Sequence, residues 1–218
     1  MNHFKAIIFD LDGTLADSVY DIADAGNVAL KALGFPLHSY GEYRHFIGHG
    51  LRELCRKSLP EGQREEAVID SCHRLLAAHY QAHSTDKTRL FPGMEEVLEK
   101  CRRQGLKMAV LSNKADILTQ DILRRLNIHS WFEVVTGLRE GFARKPDPKG
   151  ALWVCERLDC PKEDILYVGD SAIDMQTARA IGLKSVACTW GYRPEKELLD
   201  EHPDYVIRQP LELLDIVF

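Results

Sequence analysis

Four short polar clusters carry the chemistry this sequence can offer. They are Asp10-Leu11-Asp12-Gly13-Thr14, Ser112-Asn113-Lys114, Arg144-Lys145-Pro146-Asp147-Pro148 and Gly169-Asp170-Ser171-Ala172-Ile173-Asp174. Taken singly, each has an ordinary structural use. Asp and Gly make turns, Asp and Ser cap helices, and proline opens a helix. Together they offer more. If Asp10, Asp12 and Asp170 meet at about 4 Å, each like-charge pair costs about 4 kcal/mol at an effective dielectric of about 20. Three pairs, about 12 kcal/mol, rival the roughly 5–15 kcal/mol that holds a whole domain together. A cation must then sit among them, or some must hold protons. Oxygen ligands without Cys or His nearby select Mg²⁺ over Zn²⁺, and Mg²⁺ with few protein ligands keeps positions free for a phosphate oxygen. Lys145 supplies a second positive charge, while Ser112 and the Asn113 backbone N–H supply directed donors. Such a set composes a phosphoryl-transfer site.

The elements that must position these residues follow from the apolar pattern. Short β-branched runs recur at Lys5–Phe9, Lys107–Leu111, Phe132–Thr136, Ile165–Val168, Lys184–Cys188 and Tyr205–Ile207. From the second onward, helical patterns separate them. Examples are Ile117-Leu118-Ile122-Leu123-Leu126 before Asn127, and Met175-Ala178-Ile181 before Gly182. Gly or Asn there is a common helix stop. Strands alternating with amphipathic helices predict a parallel sheet covered on both faces. In such sheets ligands gather beyond the carboxyl ends of the strands, where the four clusters sit. Asp10 and Asp12 leave the first strand on one side, and Asp174 follows Asp170 by about one helical turn.

One interval breaks the alternation. Between Asp12 and the strand at Lys107 lies far more chain than a crossover helix needs, and its first part is helical in pattern. Ile22, Ala25, Ala29 and Leu33 share a face, Leu51, Leu54 and Cys55 suggest a second helix, and Ala67, Leu75, Leu76 and Tyr80 a third. The expectation is an α/β protein with a Rossmann-like parallel sheet, helices on both faces, and a small helical cap inserted after the first strand. Residues 1–15 and 89–218 form the core and 16–88 the cap, hung on linkers near Leu15–Ser18 and Ser84–Leu90.

Composition excludes several classes. With 45 % hydrophobic and 28 % charged residues, the chain has ample material for a core and is not disordered. No apolar stretch approaches the roughly 20 residues of a membrane helix, and Asp10 and Asp12 interrupt what would be a signal peptide's apolar segment. A net charge of −5 without long runs of either sign gives no reason to expect nucleic-acid or membrane partners. Six scattered cysteines with no C-x-x-C pair read as buried thiols of a cytoplasmic protein. A small phosphorylated metabolite is the expected partner, and the chain is expected to be a monomer or homodimer.

Asp10-Leu11-Asp12-Gly13-Thr14-Leu15, Ser112-Asn113, Lys145-Pro146, and Gly169-Asp170 followed by Asp174 resemble, in order, the four motifs of the haloacid dehalogenase-like hydrolase superfamily. The likeness covers nearly the whole chain and is nearest to the phosphoglycolate phosphatases. The stretch Phe46-Ile47-Gly48-His49-Gly50-Leu51-Arg52-Glu53-Leu54 resembles their substrate loop. The resemblance implies that Asp10 is the nucleophile forming an aspartyl-phosphate and that Asp12 is the acid and base. Mg²⁺ would be held by Asp10, the Asp12 backbone carbonyl and Asp170, with Asp174 behind them. Ser112, Asn113 and Lys145 would hold the phosphoryl group.

Variation within that superfamily narrows the expectation. Asp12 argues for an oxygen leaving group, since a halide needs no proton. Ile22 stands where β-phosphoglucomutases carry a cap histidine. The phosphonatases of that superfamily need a Schiff-base lysine in the cap, whereas Lys31 and Lys57, the cap lysines before Lys87, fall in helical patterns and read as solvated. Arg144 stands where relatives often have proline, and either reads a substrate anion or is a surface arginine. Gly48, His49, Gly50 and Arg52 are the candidates for selecting the leaving group. The expected function is a Mg²⁺-dependent phosphatase of small phosphomonoesters, with 2-phosphoglycolate favoured. The alternatives are a phosphohydrolase acting on pyrophosphate, nucleotides or sugar phosphates, a phosphosugar mutase, or a phospho-aspartate switch.

Overall fold

The apolar runs become the strands of one sheet because each alternates its side chains between two helical layers. The computed structural model describes residues 4–218. In chain order the strands are β1 (Ala6–Phe9), β2 (Ala16–Asp17), β3 (Arg89–Leu90), β4 (Lys107–Ala115), β5 (Val134–Leu138), β6 (Ile165–Gly169), β7 (Lys184–Cys188) and β8 (Tyr205–Ile207). The helices are α1 (Val19–Ala32), α2 (Tyr40–Phe46), α3 (Leu51–Ser58), α4 (Glu66–His83), α5 (Met94–Arg103), α6 (Asp116–Arg125), α7 (Pro148–Leu158), α8 (Ala172–Ile181), α9 (Glu195–Leu199) and α10 (Leu213–Val217).

Six strands form a parallel sheet in the order β5-β4-β1-β6-β7-β8. Ile7, Phe9, Met108, Val110, Leu166 and Val168 face the layer that includes α5 and α6. Ile8, Ala109, Leu111, Ile165 and Tyr167 face α7 and α8. Each fully buried aliphatic side chain contributes about 1.5–3 kcal/mol. This is the doubly covered α/β sheet expected. After β1 the chain builds outward to β5 on one side, then returns to β6 and builds outward on the other. The reversal leaves a crevice at the carboxyl end of β1, flanked by the ends of β4 and β6. Phe9 lies opposite both Val110 and Val168, so the residues after β1 and β6 emerge level, beside β4.

β4 and β5 depart most from the expected bounds. β4 runs to Ala115 rather than Leu111, because a register shift between Leu111 and Ala115 lets Ala115 pair with Leu138. Ser112, Asn113 and Lys114 thus lie in an irregular strand end. β5 starts at Val134, two residues late, since a 3₁₀ turn at His129–Trp131 is capped by the Phe132 N–H.

Residues between β2 and β3 form four helices, and β2 and β3 pair antiparallel, Ala16 opposite Leu90 and Asp17 opposite Arg89. α1 packs on α4, and α4 on α3. The apolar face of α4 is Ile69, Cys72, Leu76 and Tyr80, at spacings of three, four and four residues, whereas Ala67 and Leu75 are exposed. The short α2 lacks the long apolar repeat by which the other helices are read from sequence. Its signature is a capping box, with Ser39 accepting from the Glu42 N–H and the Glu42 carboxylate accepting from the Ser39 N–H. The interior of these helices is continuous with one face of the sheet's core. All six cysteines are free, five of them buried. Among the described residues, no helix is long and apolar enough to cross a membrane.

Candidate active site

The crevice collects the charged residues of four strand ends. Asp10 follows β1, its N–H donating to the Val168 carbonyl at 3.0 Å. Asp170 follows β6 and Asp174 lies in the first turn of α8, both buried. One carboxylate oxygen from each of Asp10, Asp170 and Asp174 falls within 4.8 Å of the others. Ser171, not Asp170, occupies the N-cap of α8, so capping does not explain Asp170. Close backbone contact locks the group. A Cβ on Gly13 would stand 2.3 Å from Asp170 Oδ2, on Gly191 2.2 Å from the Asp170 Cβ, and on Gly169 2.2 Å from the Asp174 Cβ. Gly13 also holds φ at +88°, which disfavours any side chain.

Lys145 supplies the opposing charge. Its Nζ lies 2.7 Å from Asp174 Oδ1, 2.9 Å from Asp10 Oδ1 and 3.0 Å from the Leu111 carbonyl. Burial alone would lower its pKa, but Asp10 and Asp174 hold it well above the ordinary value, so the ammonium stays charged. Asn113 fixes the loop that presents it, accepting from the Lys145 N–H at 2.8 Å and donating to the Lys145 carbonyl at 3.2 Å. Ser112 is buried beside them, and its hydroxyl accepts from the Lys114 N–H at 3.2 Å.

Burial pushes the Asp10 carboxyl up to about 7, with Asp174 and Asp12 adding to the rise and Lys145 opposing it. Burial, then Asp174 and Asp10, also raise Asp170 well above the carboxylate range, against the N–H of Tyr192 that donates to it at 2.7 Å. Asp10 Oδ1 is buried, and the Lys145 ammonium 2.9 Å away is its charged neighbour. Three carboxylates gathered within 4.8 Å, with Lys145 in contact with Asp10 and Asp174, are an all-oxygen donor set that a hard divalent cation satisfies. The residues therefore fit Mg²⁺.

Asp12 stands apart from that group. Its Oδ1 accepts from the Ser18 hydroxyl at 2.5 Å, and its Oδ2 lies 3.0 Å from Lys114 Nζ. Lys114 is also buried and donates to the Tyr80 hydroxyl of α4 at 3.0 Å. Burial would lower the Lys114 pKa, yet Asp12 and Tyr80 together raise it.

Asp10, Asp12, Ser112, Asn113, Lys145 and Asp170 all line one pocket, which Ile22, Ile47, Leu51 and Leu54 close from the helical side. Of the loop residues expected to meet substrate, Gly48 and Gly50 line it and His49 and Arg52 do not. Both glycines have positive φ, +114° and +83°, and the Gly48 carbonyl accepts from Asn113 Nδ2 at 3.1 Å. His49 is half-buried outside the lining, where burial and the charges of Lys57 and Arg193 lower its pKa. Arg52 turns outward to Glu66 at 2.5 Å and Asp70 at 2.8 Å on α4, because those carboxylates lie across the α3–α4 contact. Arg144 is exposed and lies against Gly50, where a Cβ would be 3.6 Å from its Nη2.

Lys114, Tyr192 and Arg193 also line the pocket and were not expected there. Arg193 donates to the Ile47 carbonyl at 2.6 Å and the Arg44 carbonyl at 3.2 Å, tying the segment after β7 to the end of α2. The signal for Tyr192 and Arg193 was available, since they come after β7 just as the motif residues come after β1 and β6. Lys114 was visible beside Ser112-Asn113, but the irregular end of β4 decides its direction.

A profile of the haloacid dehalogenase-like hydrolases matches residues 7–188. The chain is similar to a phosphoglycolate phosphatase of Pseudomonas putida, 34 % identical over 206 residues that cover 93 % of this chain and 76 % of that one. A phosphoglycolate phosphatase of Nitrosospira multiformis is 32 % identical over 219 residues, covering 98 % and 95 %. A solved structure from Haemophilus somnus, described as a predicted phosphoglycolate phosphatase, matches with a TM-score of 0.93 at 30 % identity over the full length of both chains.

Proposed function

Because the chain belongs to the haloacid dehalogenase-like hydrolases and is a phosphatase, we propose that it hydrolyses small phosphomonoesters through an aspartyl-phosphate on Asp10, with 2-phosphoglycolate the favoured substrate. The observation that carries the reading is the buried grouping of Asp10, Asp170 and Asp174 around Lys145, at the crevice mouth and open to one pocket.

In this reading an Asp10 carboxylate oxygen attacks phosphorus in line with the ester oxygen. A bond forms from Asp10 to phosphorus, the ester bond breaks, and Asp12 gives the leaving oxygen its proton. A water then attacks the same phosphorus, Asp12 takes its proton, and the Asp10 acyl-phosphate bond breaks to free phosphate. Lys145, the Ser112 hydroxyl and the Asn113 N–H hold the phosphoryl oxygens. Mg²⁺ would be held by Asp10, the Asp12 backbone carbonyl and Asp170, with Asp174 orienting Lys145 and the ligands. When bound, it neutralises charge on the transferring phosphoryl group.

Residues 16–88 act as the cap over a core of 1–15 and 89–218, hinging where β2 and β3 pair. Closure brings Ile22, Ile47 and Leu54 over the ester and excludes water from the first step. Ile22, apolar and lining the pocket, supports hydrolysis over phosphoryl transfer to a second sugar hydroxyl. Phosphate release from a panel of monoesters, with Mg²⁺ and with EDTA, tests the proposal. Turnover of 2-phosphoglycolate that needs Mg²⁺ supports it. Equal rates in EDTA, or no release from any monoester, would refute it.

A further inference from the structure

We infer that Lys114 is a specificity-determining residue that binds an anionic group one carbon away from the ester oxygen, and so selects phosphoesters whose leaving group carries a carboxylate. The inference rests on the phosphatase reading above and adds to it the group that reads the far end of the substrate.

Among the described residues, Lys145, Lys114 and Arg193 are the cations that line the pocket. Lys145 is committed to Asp10 and Asp174, at the end where phosphorus must lie. The Arg193 guanidinium is spent on backbone carbonyls of Arg44, His45 and Ile47. Lys114 remains. Its side chain is 2 % exposed, its one carboxylate partner among the described residues is Asp12 at 3.0 Å, and its other contact is the neutral Tyr80 hydroxyl.

Position then decides what Lys114 can meet. Asp12 must reach the ester oxygen to give it a proton, so the leaving group lies against Asp12. In 2-phosphoglycolate one methylene separates that oxygen from the carboxylate. The carboxylate therefore falls beside the groups that hold Asp12, which are the Ser18 hydroxyl and the Lys114 ammonium. Of the two, only Lys114 carries charge. The facing wall of Ile22, Leu51 and Leu54 offers an anion nothing, so a carboxylate placed there would lose its hydration without replacement. A buried ammonium with one carboxylate and one phenol retains a donor for the incoming oxygen, since it carries three.

The test compares 2-phosphoglycolate with 2-hydroxyethyl phosphate, which keeps the chain length and replaces the carboxylate by an alcohol. Wild-type protein with Mg²⁺ is expected to favour 2-phosphoglycolate in kcat/KM. In Lys114→Met that preference should collapse by about 100-fold, mostly through KM for the carboxylate substrate, as expected when a site loses the partner of a buried charge. Lys114→Arg, which retains the charge, should keep part of the preference. Equal losses on both substrates in Lys114→Met and Lys114→Arg would mean that Lys114 only holds Asp12, and would overturn the inference. A wild type with no preference between the esters would overturn it too, leaving the phosphatase reading intact. Release of phosphate from neither ester would instead refute the parent reading, and the inference with it.

Discussion

The two walls of the pocket are built on different principles. The sheet wall presents charges. Asp10, Asp170, Asp174 and Lys145 are buried or nearly so, contact one another through side chains, and sit on backbone so closely packed that Gly13, Gly169 and Gly191 admit no Cβ. The helical wall presents Ile22, Ile47 and Leu54, and meets the sheet side partly through backbone, as in the Asn113–Gly48 and Arg193–Ile47 hydrogen bonds. Charges on strand ends stay where a reaction needs them, because moving one means breaking a buried network. A wall of apolar side chains and carbonyl contacts, with the Lys114–Tyr80 hydrogen bond beside them, carries fewer charges that separation would strand. The first suits bond making and breaking, the second admission and exclusion.

If that division is right, the largest effects come from the sheet wall. Asp10→Asn should lower kcat by about 10⁴-fold or more, since the proposed nucleophile is gone while the pocket is kept. Lys145→Met leaves the Asp10 and Asp174 carboxylates without their ammonium. Calorimetry should find it destabilised by about 3–5 kcal/mol, with activity reduced by about 10³-fold.

The pH dependence of the metal-free protein probes the same wall. The Asp10 pKa is raised to about 7 in the fold, from 3.8 when unfolded. Its contribution to stability is therefore fully present below about pH 4 and lost as pH rises through 7. In EDTA, wild type should lose about 1–4 kcal/mol relative to Asp10→Asn between those limits, and denaturant titrations at several pH values would measure it. Parallel profiles for the two proteins would contradict the burial of that charge.

The helical wall should respond more gently. Arg193→Ala cuts contacts between the segment after β7 and the end of α2, so KM should rise about 10-fold with kcat changed less, and amide exchange should quicken over residues 40–54. A larger fall in kcat than in substrate affinity would break the comparison. Arg52→Ala, whose partners Glu66 and Asp70 are exposed, should alter rates by no more than about twofold.

Much of the sheet wall was legible from the residues alone. The six parallel strands arise from β-branched runs whose two-residue period serves two helical layers, and the crevice from strand order reversing at β1. Asp10, Asp12, Ser112 and Asp170 could be placed because the end of a strand sets the direction of the residues there, whereas Lys145, in the loop between β5 and α7, was marked by its motif and is held in place by Asn113. Side chains on the helical wall could not. Arg52 follows the Gly48–Gly50 loop closely, yet it lies in α3, where a helix turns through about 100° per residue, and carboxylates on α4 captured it. Lys114 escaped for a related reason, since its direction depends on where β4 loses register with β5. The short α2 escaped because a capping box, not a repeat, defines it.

The most direct test of the account is to quench a reaction with 2-phosphoglycolate in acid within the first turnover and map the phosphoryl group by mass spectrometry. Phosphate on the peptide bearing Asp10, absent in Asp10→Asn and lost on longer incubation with water, is the predicted result. Phosphate attached to another residue, or free phosphate formed at full rate with no labelled enzyme at any time, would contradict it.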